Sequence, residues 1–329
     1  WFYTSRDVRS PSTRLFDPAI IAGTKPPIEN PVEVVLVEPD ASKFPPPWPA
    51  VILQHGFQGS NQFVVDNAAP FVTRGLAVLG IDAVSHGGRG NVAGFFDLTD
   101  PRTVRDNLRQ TTVDHLMLSN LATKAAIDVD GTAGNDLDGS VAYYGHSMGA
   151  ILGSSFAMVT EDAHTVAVNA PGGGLCDVFR SSGLEESLQL LIRPLLGIDL
   201  EDPVYDDAFP LLTALAQPLL EGADPIVYAH ASNRPHVLLQ MDIGDLLVPN
   251  ASTHDLARAA GVTEHDAGDV VEDGAGLDAL VPLDPATYPD FHDPDDNPHG
   301  LFDQKPIQAQ AAEFVASRGT KLLSALLEP

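Results

Sequence analysis

The sequence predicts an α/β fold: an open, mostly parallel sheet covered by helices on both faces, with a helical insertion over one edge. Three observations carry this expectation. Apolar runs of strand length alternate with segments of helical periodicity along most of the 329 residues, and that alternation builds βαβ units with parallel strands. Runs such as "AVILQHG" (50–56) are continuously apolar, the pattern of strands buried on both faces. Residues 172–234 alone break the alternation, with two leucine-rich, proline-interrupted segments, "LEESLQLLIRPLLG" and "FPLLTALAQPLLEG".

Residues 1–30 carry prolines at 11, 18, 26 and 27 and read as an irregular arm wrapped on the body. "VEVVLVEP" (32–39) alternates like a strand, and "PPPWP" interrupts the chain before the run at 50–56. A helix is expected over 61–74, then a buried strand, "LAVLGIDAV" (76–84). Apolar spacing predicts a long helix over 102–127, the strand "SVAYYG" at 140–145, and a helix over 148–159. "HTVAVNAP" (164–171) and "HVLLQMDIG" (236–244) complete the strands. "NASTHDLARAAG" (250–261) ends on glycine as helices do, and 306–327 reads as a closing helix. The expected organisation is one catalytic domain, 31–329, whose insertion at 172–234 forms a helical lid or cap.

Composition narrows the function classes. Hydrophobic residues make up 44% of the chain and mean hydropathy is +0.01, enough for a sizeable core. Net charge is −27, and the lysines are Lys25, Lys43, Lys124, Lys305 and Lys321. Such a surface repels phosphate backbones and anionic bilayers, so nucleic acid is not an expected partner. No run of eighteen uncharged apolar residues exists, so no transmembrane segment is expected. Cys176 is the one cysteine, which rules out a disulfide within the chain. Oligomeric state is not legible.

The chemistry starts at "YYGHSMGAILG" (143–153). A serine hydroxyl becomes a nucleophile only where a base takes its proton and donors hold the oxyanion it creates. Gly-x-Ser-x-Gly between a buried strand and a helix sets Ser147 on a tight turn with its oxygen projecting, and a Cβ at Gly145 or Gly149 would collide with neighbouring chain. The helix behind the turn directs its positive end at the forming charge. An acid and then a histidine should follow in the chain. Asp245, just beyond the strand ending near Gly244, is the candidate acid and Asp242 its rival. In "FHDPDDNPHGLF" (291–302), His299 is the candidate base, with His292 and His265 as alternatives. His146 should point away from the site and serve structure. The oxyanion donors should be the N–H groups of Met148 and Phe57, with Gln58 second to Phe57. His55 should anchor that loop through side-chain hydrogen bonds.

The acidic turn "DVDGTAGNDLDG" (128–139) invites a calcium reading, but Ala133 and Gly139 stand where an EF-hand loop needs glycine and glutamate. No metal and no cofactor is expected.

"QHGFQGSNQF", "GIDAVSHGGRG", "YYGHSMGA" and "IGDLLVPN", in this order, resemble an α/β-hydrolase. The likeness is to bacterial extracellular lipases and esterases with a lid before the acid strand, and "ADPIVYA" (223–229) resembles that group as well. It implies a Ser–His–Asp carboxylic ester hydrolase without a cofactor, secreted or extracellular, acting on small-molecule, lipid or polyester esters. The acidic surface agrees with a saline or extracellular setting. The sparse cations of the insertion (Arg180 and Arg193 inside it, Arg234 at its edge) suggest an apolar acyl pocket. An acyltransferase or a peptidase on the same scaffold, or a non-catalytic hydrolase-fold binding protein, remain the alternatives.

Overall fold

The computed structural model describes residues 2–97, 100–124, 135–181, 204–230, 234–292 and 297–326. The strands are β1 (Phe2–Asp7), β2 (Ile28–Val37), β3 (Trp48–Gln54), β4 (Ala77–Ile81), β5 (Leu137–His146), β6 (Ala163–Asn169), β7 (His236–Asp242), β8 (Thr263–Glu264), β9 (Val271–Glu272), β10 (Ala279–Leu283) and β11 (Lys321–Leu322). The helices are α1 (Pro18–Ile21), α2 (Gln62–Asn67), α3 (Ala69–Val72), α4 (Pro101–Lys124), α5 (Met148–Val159), α6 (Leu175–Ser181), α7 (Val204–Leu220), α8 (Pro225–Tyr228), α9 (Asn250–Ala260) and α10 (Lys305–Ala316).

Nine strands make one sheet in the order β1-β2-β4-β3-β5-β6-β7-β10-β8, and β9 and β11 form a separate antiparallel pair. From β4 to β8 every neighbouring pair is parallel, whereas β1 and β2 join antiparallel at one edge. The continuous apolar runs explain this placement. Val51 and Leu53 of β3 pack on one face with α2, α3 and α10; Ala50 and Ile52 pack on the other with α4, α5 and α9. Because side chains alternate along a strand, a strand covered on both faces needs apolar residues at every position.

Four sequence expectations change. The first residues of the presumed irregular arm are strand β1, held to α4 by side chains: Tyr3 Oη donates to the Asp114 carbonyl (3.0 Å), and Ser5 Oγ donates to the Asp114 carboxylate. Arg9 pairs with Asp7 (2.6 Å) and donates to Asn107 Oδ1. The helix expected over 61–74 is two short ones, α2 and α3, with Pro70 at the first turn of the second, where its missing N–H costs nothing. The closing helix stops at Ala316; the chain turns through Arg318 and Gly319, both at positive φ, into β11. β10 went unread because "ALVPL" holds a proline. Pro282 pairs with Met241 of β7, while β8 reaches only Ala279 and Leu280, so Pro282 lacks a neighbour on that side to donate to.

The insertion contributes α6, α7 and α8 among the described residues. "LEESLQLLIRPLLG" and most of the acidic turn lie outside them, as do the side chains of Arg180 and Arg193. Arg234 is drawn to Asp278 (2.8 Å) and the Ala260 carbonyl. No helix among the described residues is long and apolar enough to cross a membrane, and no group of three or more His, Cys, Asp or Glu among them could hold a metal ion.

Burial keeps several imidazoles neutral, which sets an acid limit on stability. His55 is pushed down to about 4 and His115 to about 3, in both cases chiefly by desolvation. An unfolded chain protonates these rings near pH 6.5, whereas the native chain refuses the proton until well below that. Native protein therefore binds fewer protons through this window, and stability falls as pH drops from about 6.5 toward 3. Asp242, pushed up by burial, acts in the opposite sense, favouring the native state at low pH. Urea unfolding at pH 7.5 and 4.5 should show a loss of about 2 kcal/mol from each of His55 and His115. An Asp242→Asn variant, which lacks that opposing contribution, should show the loss in full, and equal stability of this variant at the two pH values would contradict this account.

Candidate active site

β5 ends at His146 and α5 starts at Met148, leaving Ser147 alone on the turn between them. Its φ of 57° and ψ of −120° lie where L-residues rarely sit, a conformation that costs about 1–3 kcal/mol and that the surroundings must impose. The two glycines show how. A Cβ on Gly145 would stand 2.3 Å from the Gly149 carbonyl oxygen, and one on Gly149 would stand 2.3 Å from that of Gln54. Both obstacles are backbone, which cannot swing aside. Gly149→Ala is expected to lower stability by roughly 1–3 kcal/mol, read as the urea midpoint, and to displace Ser147. A variant with unchanged midpoint would show that β3 and α5 can separate at no cost.

Ser147 N–H donates to the Asn169 carbonyl of β6 (3.0 Å), pinning the turn to the sheet. His299 reaches it from the segment ahead of α10. His299 lies in a short 3-10 helix, Pro298–Asp303, and its Nε2 is 2.8 Å from Ser147 Oγ. Its Nδ1 is 2.7 Å from Asp245 Oδ2. The other oxygen, Asp245 Oδ1, accepts the N–H groups of Leu247 (2.7 Å) and Val248 (3.0 Å). Thus the carboxylate is held by two backbone donors and keeps one oxygen for the imidazole. With Nδ1–H donating to Asp245, Nε2 is left as an acceptor facing the serine hydroxyl.

The rival residues lie elsewhere. His292 is exposed, and His265 faces Asp269 (3.7 Å) near the β8 edge. Asp242 is buried at the end of β7, where Oδ1 accepts from Asn169 Nδ2 (3.0 Å). Its Oδ2 has no partner among the described residues. Burial, reinforced by the nearby charge of Asp245, pushes its carboxyl well above the ordinary range. Burial thus opposes its ionisation.

His146 does not point away from the site. Its ring stacks on Phe302 (centroids 3.9 Å apart) and leans against the His299 ring (4.7 Å), while Nδ1 meets Asn169 Oδ1 (2.8 Å). Burial and the neighbouring His299 hold it well below the usual imidazole range, so it walls the site as a neutral ring. His55 does anchor its loop: Nδ1 donates to the Gly56 carbonyl (2.7 Å) and Nε2 accepts from Ala83 N–H (3.1 Å). This brings the 56–60 turn to the serine, since a Cβ on Gly56 would stand 3.2 Å from Ser147 Cβ.

Sequence reasoning missed Asn297. Its Oδ1 accepts the N–H of His299 (3.2 Å) and of Leu246 (3.1 Å), tying the histidine turn to the acid loop. The signal was present: Asn-Pro before a short turn is a helix-start pattern. Asn169 had no such signal, because nothing marks a strand-end asparagine as facing two distant residues.

Ser147 and His299 open onto a cleft of about 660 Å³. Phe57, Phe96, Phe179, Leu175, Val178 and Ile151 form one wall, with Phe96 packed edge-on against Phe57 (4.7 Å) and Phe179 (5.4 Å). Phe63 and Asp66 of α2, with Phe302 beside Phe63, form another, and Gln58, Ser60 and Gln62 also line the cleft. Met148 also lines the cleft.

No family model and no curated protein matches this chain. Solved structures do. Acetyl xylan esterase 1 from Thermoanaerobacterium sp. JW/SL YS485 is similar at TM-score 0.56 and 15% identity, covering 96% of this chain and 87% of that one. The acetyl xylan esterase from Paenibacillus sp. R4 is similar at TM-score 0.54 and 14% identity, covering 85% and 80%. A 2,6-dihydroxy-pseudo-oxynicotine hydrolase is similar at TM-score 0.56 and 14% identity, covering 88% of this chain. The chain spans 65% of that hydrolase, and 41% of an acylaminoacyl peptidase from Pyrococcus horikoshii. At these identities the likeness concerns the fold, and the chain has the α/β-hydrolase fold.

Proposed function

We propose that this protein is a serine carboxylic ester hydrolase working through an acyl-enzyme. The observation that carries the reading is the unbroken hydrogen-bonded line from Asp245 through His299 to Ser147 Oγ, at 2.7 and 2.8 Å. In this reading Ser147 Oγ attacks the ester carbonyl carbon while His299 Nε2 takes its proton. Asp245 keeps the ring oriented and stabilises its cationic form. The N–H groups of Phe57 and Met148 hold the oxyanion. As the tetrahedral species collapses, the carbon–oxygen bond to the alcohol breaks and His299 returns the proton to the departing oxygen. A water then gives a proton to His299 and attacks the acyl carbon; the bond from that carbon to Ser147 Oγ breaks, His299 returns the proton to Oγ, and the acid leaves. Each group needed for these steps is a side chain or backbone donor of this chain. The esterases and hydrolases among the fold neighbours point in the same direction.

The apolar wall from Phe57 to Phe179 suits an apolar acyl group, so lipid and other apolar esters are the substrates we favour; α6, which supplies Leu175, Val178 and Phe179, is the part of the insertion we read as roofing the site. A fluorophosphonate should label wild-type protein at Ser147, as read by peptide mass, and p-nitrophenyl esters of rising chain length should be hydrolysed. Ser147→Ala should be neither labelled nor active. Undiminished esterase activity in Ser147→Ala would refute the proposal.

A further inference from the structure

The cleft is asymmetric in charge as well as in polarity. Phe57, Phe96 and Phe179 meet edge to face along its apolar wall. The other wall carries Phe63 and Asp66, three residues apart on α2 and so on one helix face, with the Phe302 ring 5.8 Å from that of Phe63. Asp66 accepts a hydrogen bond from Gln62 Nε2 (3.0 Å) and sits at the exposed rim. No lysine or arginine is among the described residues that line the cleft, and the chain as a whole carries −27.

We infer that the site prefers esters joining an apolar acyl group to a cationic amino alcohol, with the ammonium held at Phe63 and Asp66, and with Phe302 packed beside Phe63 against His146. A cation is attracted to an aromatic ring face and to a carboxylate. A carboxylate tail at the same place meets Asp66 with no positive side chain to offset the repulsion. This inference rests on the esterase reading, and its acyl half is the apolar wall described above.

Three esters of phenylacetic acid separate the possibilities: those of choline, of its uncharged carbon isostere 3,3-dimethylbutan-1-ol, and of 3-hydroxypropionate. They share the acyl group and the scissile bond and differ in the charge of the tail. At low salt the choline ester should exceed the isostere in kcat/KM by roughly two- to fivefold and the anionic ester by about tenfold. Asp66→Asn and Phe63→Leu should each bring the choline-to-isostere ratio toward one, mainly through KM, and added salt should narrow it. A choline ester no better than its isostere, or a preference unchanged in both variants, overturns the inference and leaves the esterase reading standing. A preference that salt abolishes but neither variant alters belongs to the overall negative field and overturns it equally. If Ser147-dependent hydrolysis of all three esters is absent, the esterase reading fails and this inference with it.

Discussion

Replacing His299 with alanine should lower kcat on an ester by about four to six orders of magnitude while moving KM by less than about threefold. His299 Nε2 stands 2.8 Å from Ser147 Oγ, the side-chain acceptor that the hydroxyl meets among the described residues, and on the proposed reading its loss leaves that proton without a base. The adjacent imidazole of His146 is held otherwise, with its Nδ1 on Asn169 Oδ1 and its ring stacked on Phe302, and burial makes it a weaker base. Ser147→Ala should cost about as much. The double variant should be little worse than either single one, because both act in the same step and removing either disables it. Steady-state and burst kinetics on one p-nitrophenyl ester give all three values. Losses that multiply in the double variant would mean that the two residues work independently. A His299→Ala enzyme with normal turnover, beside an inactive His292→Ala, would move the base to the exposed histidine.

The second large effect separates two carboxyls three residues apart. Asp245→Asn should lower kcat by about ten-thousandfold. An amide at that place donates or accepts from the wrong atoms, so it no longer fixes the Nδ1 proton of His299 or stabilises the imidazolium. The two backbone donors from Leu247 and Val248 would also lose the anion they serve. Asp242→Asn should cost less than about tenfold in kcat, since Asp242 meets Asn169 rather than His299 and burial opposes its ionisation. Urea unfolding of this second variant at pH 7.5 should show stability equal to or above that of wild type, because burying an amide avoids any charge on the carboxyl. Equal losses of activity in the two variants would show that the acid role is shared, and a reversed order would transfer it to Asp242.

Much of this site was legible before folding. The glycine-flanked serine, the acid after a strand and the histidine ahead of the last helix follow in a fixed chain order, and the tight turn leaves few choices at positions 145 and 149. What escaped was whatever depends on distance across the sheet. His146 was read as pointing away, yet Phe302 and His299 come from a segment some 150 residues later and close over its ring. The antiparallel edge formed by β1 escaped too: "FYTSRD" alternates too briefly to announce a strand, and it is held by a partner strand, β2, beyond an intervening turn and by contacts with α4 across more than a hundred residues. Pro282 hid β10 because its tolerance depends on where β8 stops.

The sequence alone determined the parallel layered sheet, since continuous apolar runs bury on both faces only between helices, and it determined the strained turn at Ser147, since glycine spacing is a local steric property. Only the tertiary structure decided which carboxyl meets the imidazole, which imidazole faces the hydroxyl and which walls enclose the cleft. Those outcomes depend on desolvation and on contacts between residues far apart in the chain, and neither is written in any local pattern.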